Sequence, residues 1–365
     1  MLLNLLVVDR TTHKVKVVTS STDWELTDDK LSAATSSFML QHDVDSTDIS
    51  AGDFLIAKVE AEKFFPTVID TAGYAHALYY GVVDSYSEKK LTTRQIMGVA
   101  NVDCIAYTGN NPATYLTNLW NRWVARPGSK LENFSISTSG LSVSGWTITF
   151  DKPTESNVLT LLTDIFKSNQ IVLDCVGYTF NDTTGVVTFH ISAWQDKVAN
   201  TNWVIPADNT SQVNNYDPYI QPANVGIPNA CRVQDISKAE GTYTDYYLHK
   251  NGAVNTTLDS TVAQPVSSTA YLYDAASLSD PKPSMLDLAK QQLKTQDYQH
   301  EITMSYSLEN GYPDKAVSLG HYIKIHYQGK TLQSVLTSFA LTSDSNWATL
   351  SCGNIRTKLA VVLDS

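Results

Sequence analysis

The C-terminal stretch of the chain, Asp314 to Ser365, carries its clearest alternation of apolar and polar side chains. Ile323, Ile325 and Tyr327 fall on one face of an extended segment, and Lys324 and His326 fall on the other. A period of two residues is typical of a strand that is buried on one side only. A segment of this kind requires neighbouring strands.

Two further runs supply such neighbours. Turn-forming residues at 328–330 and 343–346 separate the three segments. The second run alternates Val335, Thr337, Phe339 and Leu341, and the third extends from Trp347 to Cys352 and ends at Gly353. The sequence therefore predicts a meander of three antiparallel strands.

The composition of the chain extends this expectation to the whole protein. With 365 residues, the chain is long enough for two to four domains with cores of their own. Charged residues make up only 17%, and Ser, Thr, Asn and Tyr are abundant, which favours strands and polar turns over helices. The formal net charge of -11 argues against sequence-specific or broad binding of nucleic acid.

The N-terminal part, residues 1–107, is predicted to be a first β-barrel domain. Six strand-like segments at this spacing favour a barrel or a sandwich, because an isolated sheet would leave its apolar face and its edges exposed. The segments are Leu2 to Val8, Lys14 to Thr19, Thr35 to Gln41, Asp53 to Ala61, Ala75 to Tyr86 and Leu91 to Val99.

Residues 108–204 are predicted to form an α+β domain. A first helix begins after Asn111 as N-cap, with Pro112 in the first turn, and a second helix begins at Thr154. Two hairpins are expected, one at 134–150 and one at 171–193.

Residues 205–283 are predicted to form a second β domain, entered through a Pro-rich boundary segment at 205–229. Its hairpin signal is Asn251-Gly252, where both turn positions favour positive φ. Residues 284–365 add a helix capped by Ser284 and the closing meander, which completes the second barrel. The predicted class is thus mainly β with an α+β insert.

Two clusters raise the question of a metal site. Asp43, Asp45 and Asp48 could offer oxygens to calcium, but Asp48 and Phe54 stand where an EF-hand loop needs its glycine and its bidentate glutamate. We therefore interpret this segment as an acidic surface loop. The second cluster, His321 and His326, lies five residues apart on one strand, so the two rings point to opposite faces.

Cys175 and His190 lie on the two arms of one predicted hairpin and could form a nucleophile pair. With a turn at 181–185, Cys175 pairs opposite Ile191, and His190 falls on the other face of the hairpin. The chain contains no Gly-x-Ser-x-Gly, phosphate-binding loop or dinucleotide fingerprint. We therefore expect no catalytic, cofactor-binding or metal-binding residues and no enzyme, although a carboxylate pair for glycan hydrolysis remains open.

The four cysteines are Cys104, Cys175, Cys231 and Cys352, and none has a metal-ligand spacing. Buried reduced thiols are the expected state, and disulfides remain open for a protein that meets an oxidising exterior. No apolar run reaches the ~20 residues of a membrane span, and the apolar N-terminus lacks the basic flank of a signal peptide.

Short fragments along the chain resemble phage tail baseplate hub proteins, that is, siphophage tail-associated proteins similar to the central hub of contractile tails. The resemblance rests on order of elements and on four fragments. They are Tyr79 to Asp84, Asn229 to Val233 with Lys250 to Gly252, Leu319 to Ile325, and Leu350 to Arg356.

This resemblance implies a homotrimer with two barrels per chain, matching the six-fold symmetry of a hexameric distal tail protein and plugging or gating the DNA channel during host attachment. It implies a virion protein of the tail tip, assembled in the host cytoplasm, with the tape measure protein and receptor-binding proteins as further partners. No cofactor is implied, and calcium dependence is left open. Two alternatives remain, a carbohydrate-binding virion or surface module and a small peptidoglycan hydrolase.

Overall fold

The computed structural model describes most of the chain. The described residues are 2–45, 47–59, 74–141, 146, 148, 150, 153–195, 204–219, 228–238, 242–262, 266–276, 282–293, 301–310 and 319–353. They form a mainly β protein with barrel-like domains, as the sequence predicts.

The first barrel is closed by six antiparallel strands. Their order around the barrel is β1-β4-β5-β6-β3-β2, and a ladder between β1 and β2 completes the circle. The strands are β1 (Leu3–Val8), β2 (Val15–Asp29), β3 (Thr35–Leu40), β4 (Phe54–Val59), β5 (Tyr79–Ser87) and β6 (Lys90–Gln95). All six were predicted, but β2 continues well beyond its expected end at Thr19.

The α+β part follows. A 3-10 helix (Ile96–Ala100) leads out of the barrel, and a π-helical turn (Trp120–Val124) prolongs the first α-helix. The remaining elements are β7 (Asp103–Ala106), α1 (Pro112–Leu119), β8 (Phe134–Gly140), β9 (Thr154–Asn157), α2 (Val158–Asn169), β10 (Ile171–Asn181) and β11 (Val186–Gln195). The cap at Asn111 and the hairpin of β10 and β11 are confirmed.

Two expectations for this part are wrong. The second helix begins at Val158, because Thr154–Asn157 pairs with β7 and the Asn157 side chain then caps the helix by accepting from the Leu159 amide. In the predicted hairpin at 134–150, the first arm, β8, instead pairs parallel to β11. Residues 142–145, 147 and 149 lie outside the described part.

The second barrel-like sheet has six strands in the order β13-β18-β21-β20-β19-β12. Within the described residues no ladder joins its end strands, β12 and β13. The strands are β12 (Val204–Pro206), β13 (Val213–Tyr219), β18 (Glu301–Ser307), β19 (Tyr322–Tyr327), β20 (Lys330–Thr342) and β21 (Trp347–Gly353). The predicted meander is confirmed as β19, β20 and β21. The Pro-rich boundary segment at 205–229, whose residues favour turns and loops, contains most of β12 and all of β13, so that expectation is wrong for these residues.

A small mixed sheet is inserted between β13 and β18. Its order is β16-β15-β14-β17, and its buried side packs against α3. The elements are β14 (Ala230–Asp235), β15 (Tyr243–Leu248), β16 (Val254–Asn255), β17 (Ser268–Tyr273) and α3 (Met285–Gln292). Ser284 caps α3 as predicted, and Gly252 takes positive φ in the hairpin turn, whereas Asn251 does not. The division of the chain into domains at 107, 204 and 283 stays a prediction.

Candidate functional site

The two barrels share one seam. The last part of β2 pairs with β20 from Glu25↔Thr342 to Asp29↔Ser338, so a strand of the first barrel also belongs to the sheet of the second. Trp24 and Phe339, 1% and 2% exposed, belong to one hydrophobic core that contains residues of both barrels. Since one continuous core and one strand ladder join them, the two barrels pack together as a single unit.

The α+β part packs against the first barrel through aromatic rings. The Phe54 ring of β4 lies 5.1 Å from that of Phe134 and 5.4 Å from that of Phe189, between ring centroids. All three side chains are almost completely buried. Edge-to-face contacts of this kind add to the free energy gained from burial alone.

The same part also contacts the second barrel. Gly320, with φ +91°, leaves room for Val172 of β10, and a Cβ atom there would overlap the Val172 side chain. The Tyr322 hydroxyl bonds to Gln170, and the His321 and Trp194 rings stack with their centroids 6.0 Å apart. The α+β part therefore braces one barrel against the other.

A largely buried ion cluster lies where the three parts meet. The Lys30 ammonium, just after β2, is 2.5 Å from the Asp174 carboxylate on β10 and 3.8 Å from the Asp28 carboxylate. The Lys30 backbone amide donates to the Thr337 carbonyl of β20. Lys30 thus joins the three parts, through its ammonium to the first barrel and the α+β part and through its backbone amide to the second barrel.

The charges of this cluster do not balance. Burial, with repulsion from Asp174 and Asp29, raises the pKa of Asp28 to about 6, against the opposing effect of Lys30. Burial opposes the charge of Lys30, but Asp174 and Asp28 outweigh it and raise the Lys30 pKa. The buried Oδ1 of Asp28 has no hydrogen-bond partner. At neutral pH, two carboxylates therefore share one ammonium.

A cleft of about 370 Å³ opens beside this cluster, between α2 and the loop after β2. Leu31, Leu162 and Phe166 give it an apolar wall, and Lys30 and Asp164 are among its polar lining residues. Burial raises the pKa of Asp164. The mixed lining offers space but no arrangement of nucleophile, base and oxyanion donors.

The candidate calcium residues lie in an exposed loop. Asp43 pairs with Lys89 at 3.5 Å, and Asp45 accepts hydrogen bonds from the Thr47 amide and hydroxyl, which lower its pKa. These contacts make Asp45 a cap of its own turn. Within the part of the chain that the structure describes, no three His, Cys, Asp or Glu side chains converge in a way that could hold a metal ion.

The candidate histidines are separated. His321 is half-buried against Trp194, while His326 is exposed on β19. Cys175 pairs opposite Ile191, as predicted. The His190 ring instead contacts the hydroxyls of Ser135 at 2.8 Å and Thr179 at 3.0 Å. The Cys175 thiol and the His190 ring therefore do not form a nucleophile pair.

All four cysteines are buried and free, as expected. Burial raises the pKa of Cys175 and of Cys352, which keeps both as unreactive thiols. We expect none of the four thiols to react within minutes with a thiol reagent at pH 8 in the native protein, and all four to react in denaturant. Rapid labelling of one thiol without denaturant would contradict the burial.

The folded chain can be compared with known proteins. No protein-family model and no curated protein matches the sequence. The structure matches that of the phage P2 baseplate in its activated conformation with Ca, with a TM-score of 0.53 and 14% identity over 98% of this chain and 100% of that one. The chain has the fold of phage tail baseplate proteins.

Two bacterial tail proteins support the same assignment of the fold. A tail protein from Neisseria meningitidis MC58 matches with a TM-score of 0.53 and 10% identity, over 96% of this chain and 95% of that one. Prophage tail protein gp18 from Listeria monocytogenes EGD-e matches with a TM-score of 0.51 and 10% identity, over 99% and 97%. In each case the likeness extends over nearly the whole of both chains.

No described helix of this baseplate-like chain has the length and apolar character needed to cross a membrane.

The sequence analysis did not predict the most distinctive polar feature of the fold, the cluster of Asp28, Lys30 and Asp174. A signal for part of it was present, because Asp28 and Lys30 continue the inward series of Trp24 and Leu26 along β2. Its partner Asp174 lies far away in sequence and could not be assigned.

Proposed function

We propose that the chain is a structural protein of a phage tail baseplate, a hub at the tail tip of the virion. The observation that carries the proposal is the baseplate fold over nearly the entire chain, with two barrels joined through one sheet. A molecule whose task is to hold neighbours in place needs such a connection more than it needs a reactive site.

The finer proposal concerns assembly. Three copies form a ring in which six barrels alternate, so that a three-fold hub presents six similar surfaces to a hexameric distal tail protein. The seam between β2 and β20 supports this, because it holds the two barrels of each chain in one fixed relation. The ring plugs or gates the DNA channel, and its acidic balance limits adhesion of DNA.

Further partners follow from this position. The tape measure protein contacts the hub from the tail interior, and receptor-binding proteins contact it at the periphery during host attachment. Assembly takes place in the host cytoplasm. The chain itself acts without catalysis, which the separation of Cys175 from the His190 ring supports.

The mass of the purified protein in solution tests this proposal. We expect light scattering to give a trimer, three times 40.2 kDa, either alone at high concentration or after addition of the hexameric distal tail protein. The measurement is made across a concentration range, with and without calcium. A monomer under all of these conditions would contradict the hub.

Two contrasting results would favour the alternatives. Binding of a glycan by a monomer would favour the carbohydrate-binding module. Among the described tryptophans none is exposed, and Trp24, Trp120 and Trp146 are buried in cores, which counts against a sugar-stacking platform built from indoles. Turnover of purified peptidoglycan by the isolated protein would favour the hydrolase.

A further inference from the structure

The ion cluster between the barrels and the α+β part has one carboxylate too many. Lys30 is close to Asp174, at 2.5 Å, but its distance to Asp28 is 3.8 Å. The Asp28 side chain is only 22% exposed, and its Oδ1 atom is buried without a hydrogen-bond partner. An ionised carboxylate in this setting loses hydration without gaining full compensation.

The position of Asp28 determines that its negative charge acts on the contact between the two barrels and the α+β part. Asp28 lies opposite Phe339 in the seam between the barrels, and the neighbouring Lys30 reaches across to β10. The groups that face it are negative or neutral apart from Lys30. They are Asp29 beside it on β2, Asp174 on β10 and Tyr79 on β5.

We propose that Asp28 is an acid-tightened latch: its ionised form weakens the hold of the two barrels on the α+β part, and its protonated form strengthens that hold. Uptake of one proton removes the repulsion between Asp28 and Asp174 and leaves the close pair of Lys30 and Asp174 balanced. The neutral carboxyl also gains an O–H donor. The inference concerns the single chain and does not depend on the proposed assembly.

The direction of the pH effect follows from the raised pKa. A carboxyl group whose pKa is about 6 in the folded protein, above its ordinary value of 3.8, binds its proton more tightly when folded. The stabilising effect of protonation is therefore complete below pH 3.8, is present in part at pH 5 and is lost as the pH rises through 6. This is opposite to the usual behaviour of a salt-bridged aspartate.

Hydrogen–deuterium exchange of the full chain at pH 5.0 and 7.5, corrected for intrinsic exchange rates, tests the latch. We expect the amides of β10 to be up to about tenfold better protected at pH 5.0 than at pH 7.5. In Asp28→Asn, which cannot ionise, protection should be high and equal at both pH values. Asp23→Asn, a control at an exposed position on the same strand, should behave as the wild type does.

A second variant keeps the test decisive if Asp28→Asn folds poorly. Lys30→Met removes the ammonium and leaves Asp28 and Asp174 facing each other, so the gain in protection at pH 5.0 should become larger. The proposal is overturned if Asp28→Asn retains the pH dependence of the wild type. It is also overturned if the inserted sheet of β14 to β17, which has a hydrophobic core of its own, responds to pH as strongly as β10 does.

Discussion

Phe339→Ala is expected to lower the free energy of unfolding by about 3–5 kcal/mol, the cost of a large cavity in a packed core. Phe339 is 2% exposed and lies on β20, the strand that pairs with β2 of the first barrel and with β21 of the second. The cavity would therefore open in the hydrophobic core that contains residues of both barrels. Urea denaturation followed by tryptophan fluorescence measures the loss.

Two variants show whether the effect comes from the shared core. Phe339→Leu keeps most of the volume and should cost clearly less than the alanine variant. Val18→Ala, on the same sheet but 71% exposed, should change stability by less than about 0.5 kcal/mol. If the barrels were independent, Phe339→Ala would produce a separate early transition for one barrel; we expect one transition, shifted as a whole.

Local patterns in the sequence predicted most of the individual elements. The alternation in β19 to β21, and the caps at Asn111 and Ser284, need only neighbouring residues to be recognised. The start of α2 was misplaced because Thr154–Asn157 is polar and precedes a helical pattern, and only its pairing with β7 makes it a strand. Local propensity was overridden there by a distant partner.

The pairing of β2 with β20 could not be predicted from the sequence for the same reason. β2 continues through the polar residues from Ser20 to Asp23, which resemble a turn in sequence, and then pairs with β20 near the other end of the chain. The parallel pairing of β8 with β11 is similarly non-local. Sequence patterns show which face of a strand is apolar, but they do not show which strand lies beside it.

The ion cluster of Asp28, Lys30 and Asp174 likewise could not be predicted from local sequence patterns. The pair of Lys30 and Asp174 exists only because the α+β part packs against the end of β2. Neither residue belongs to a recognisable motif, and charged residues in strand-like segments are usually exposed. Only the folded chain shows that these charges are largely withdrawn from water.

Gly320→Ala is expected to be about as damaging as the core cavity, with a loss of about 2–5 kcal/mol from backbone strain and overlap together. Gly320 has φ +91°, and an added Cβ would overlap Cγ2 of Val172. The substitution should therefore push the α+β part away from the second barrel. Thermal and urea denaturation measure the loss, and exchange at β10 locates it.

Gly329→Ala separates the two causes. Gly329 also has positive φ, +70°, but no atom lies within 4 Å of its added Cβ, so this variant should cost only the backbone strain of about 1–2 kcal/mol. The excess loss in Gly320→Ala measures the overlap with Val172. Adding Val172→Ala should recover part of that excess, because it removes the overlapping methyl group. Equal losses at the two glycines, with no recovery in the double variant, would mean that the α+β part does not press on the second barrel at this point.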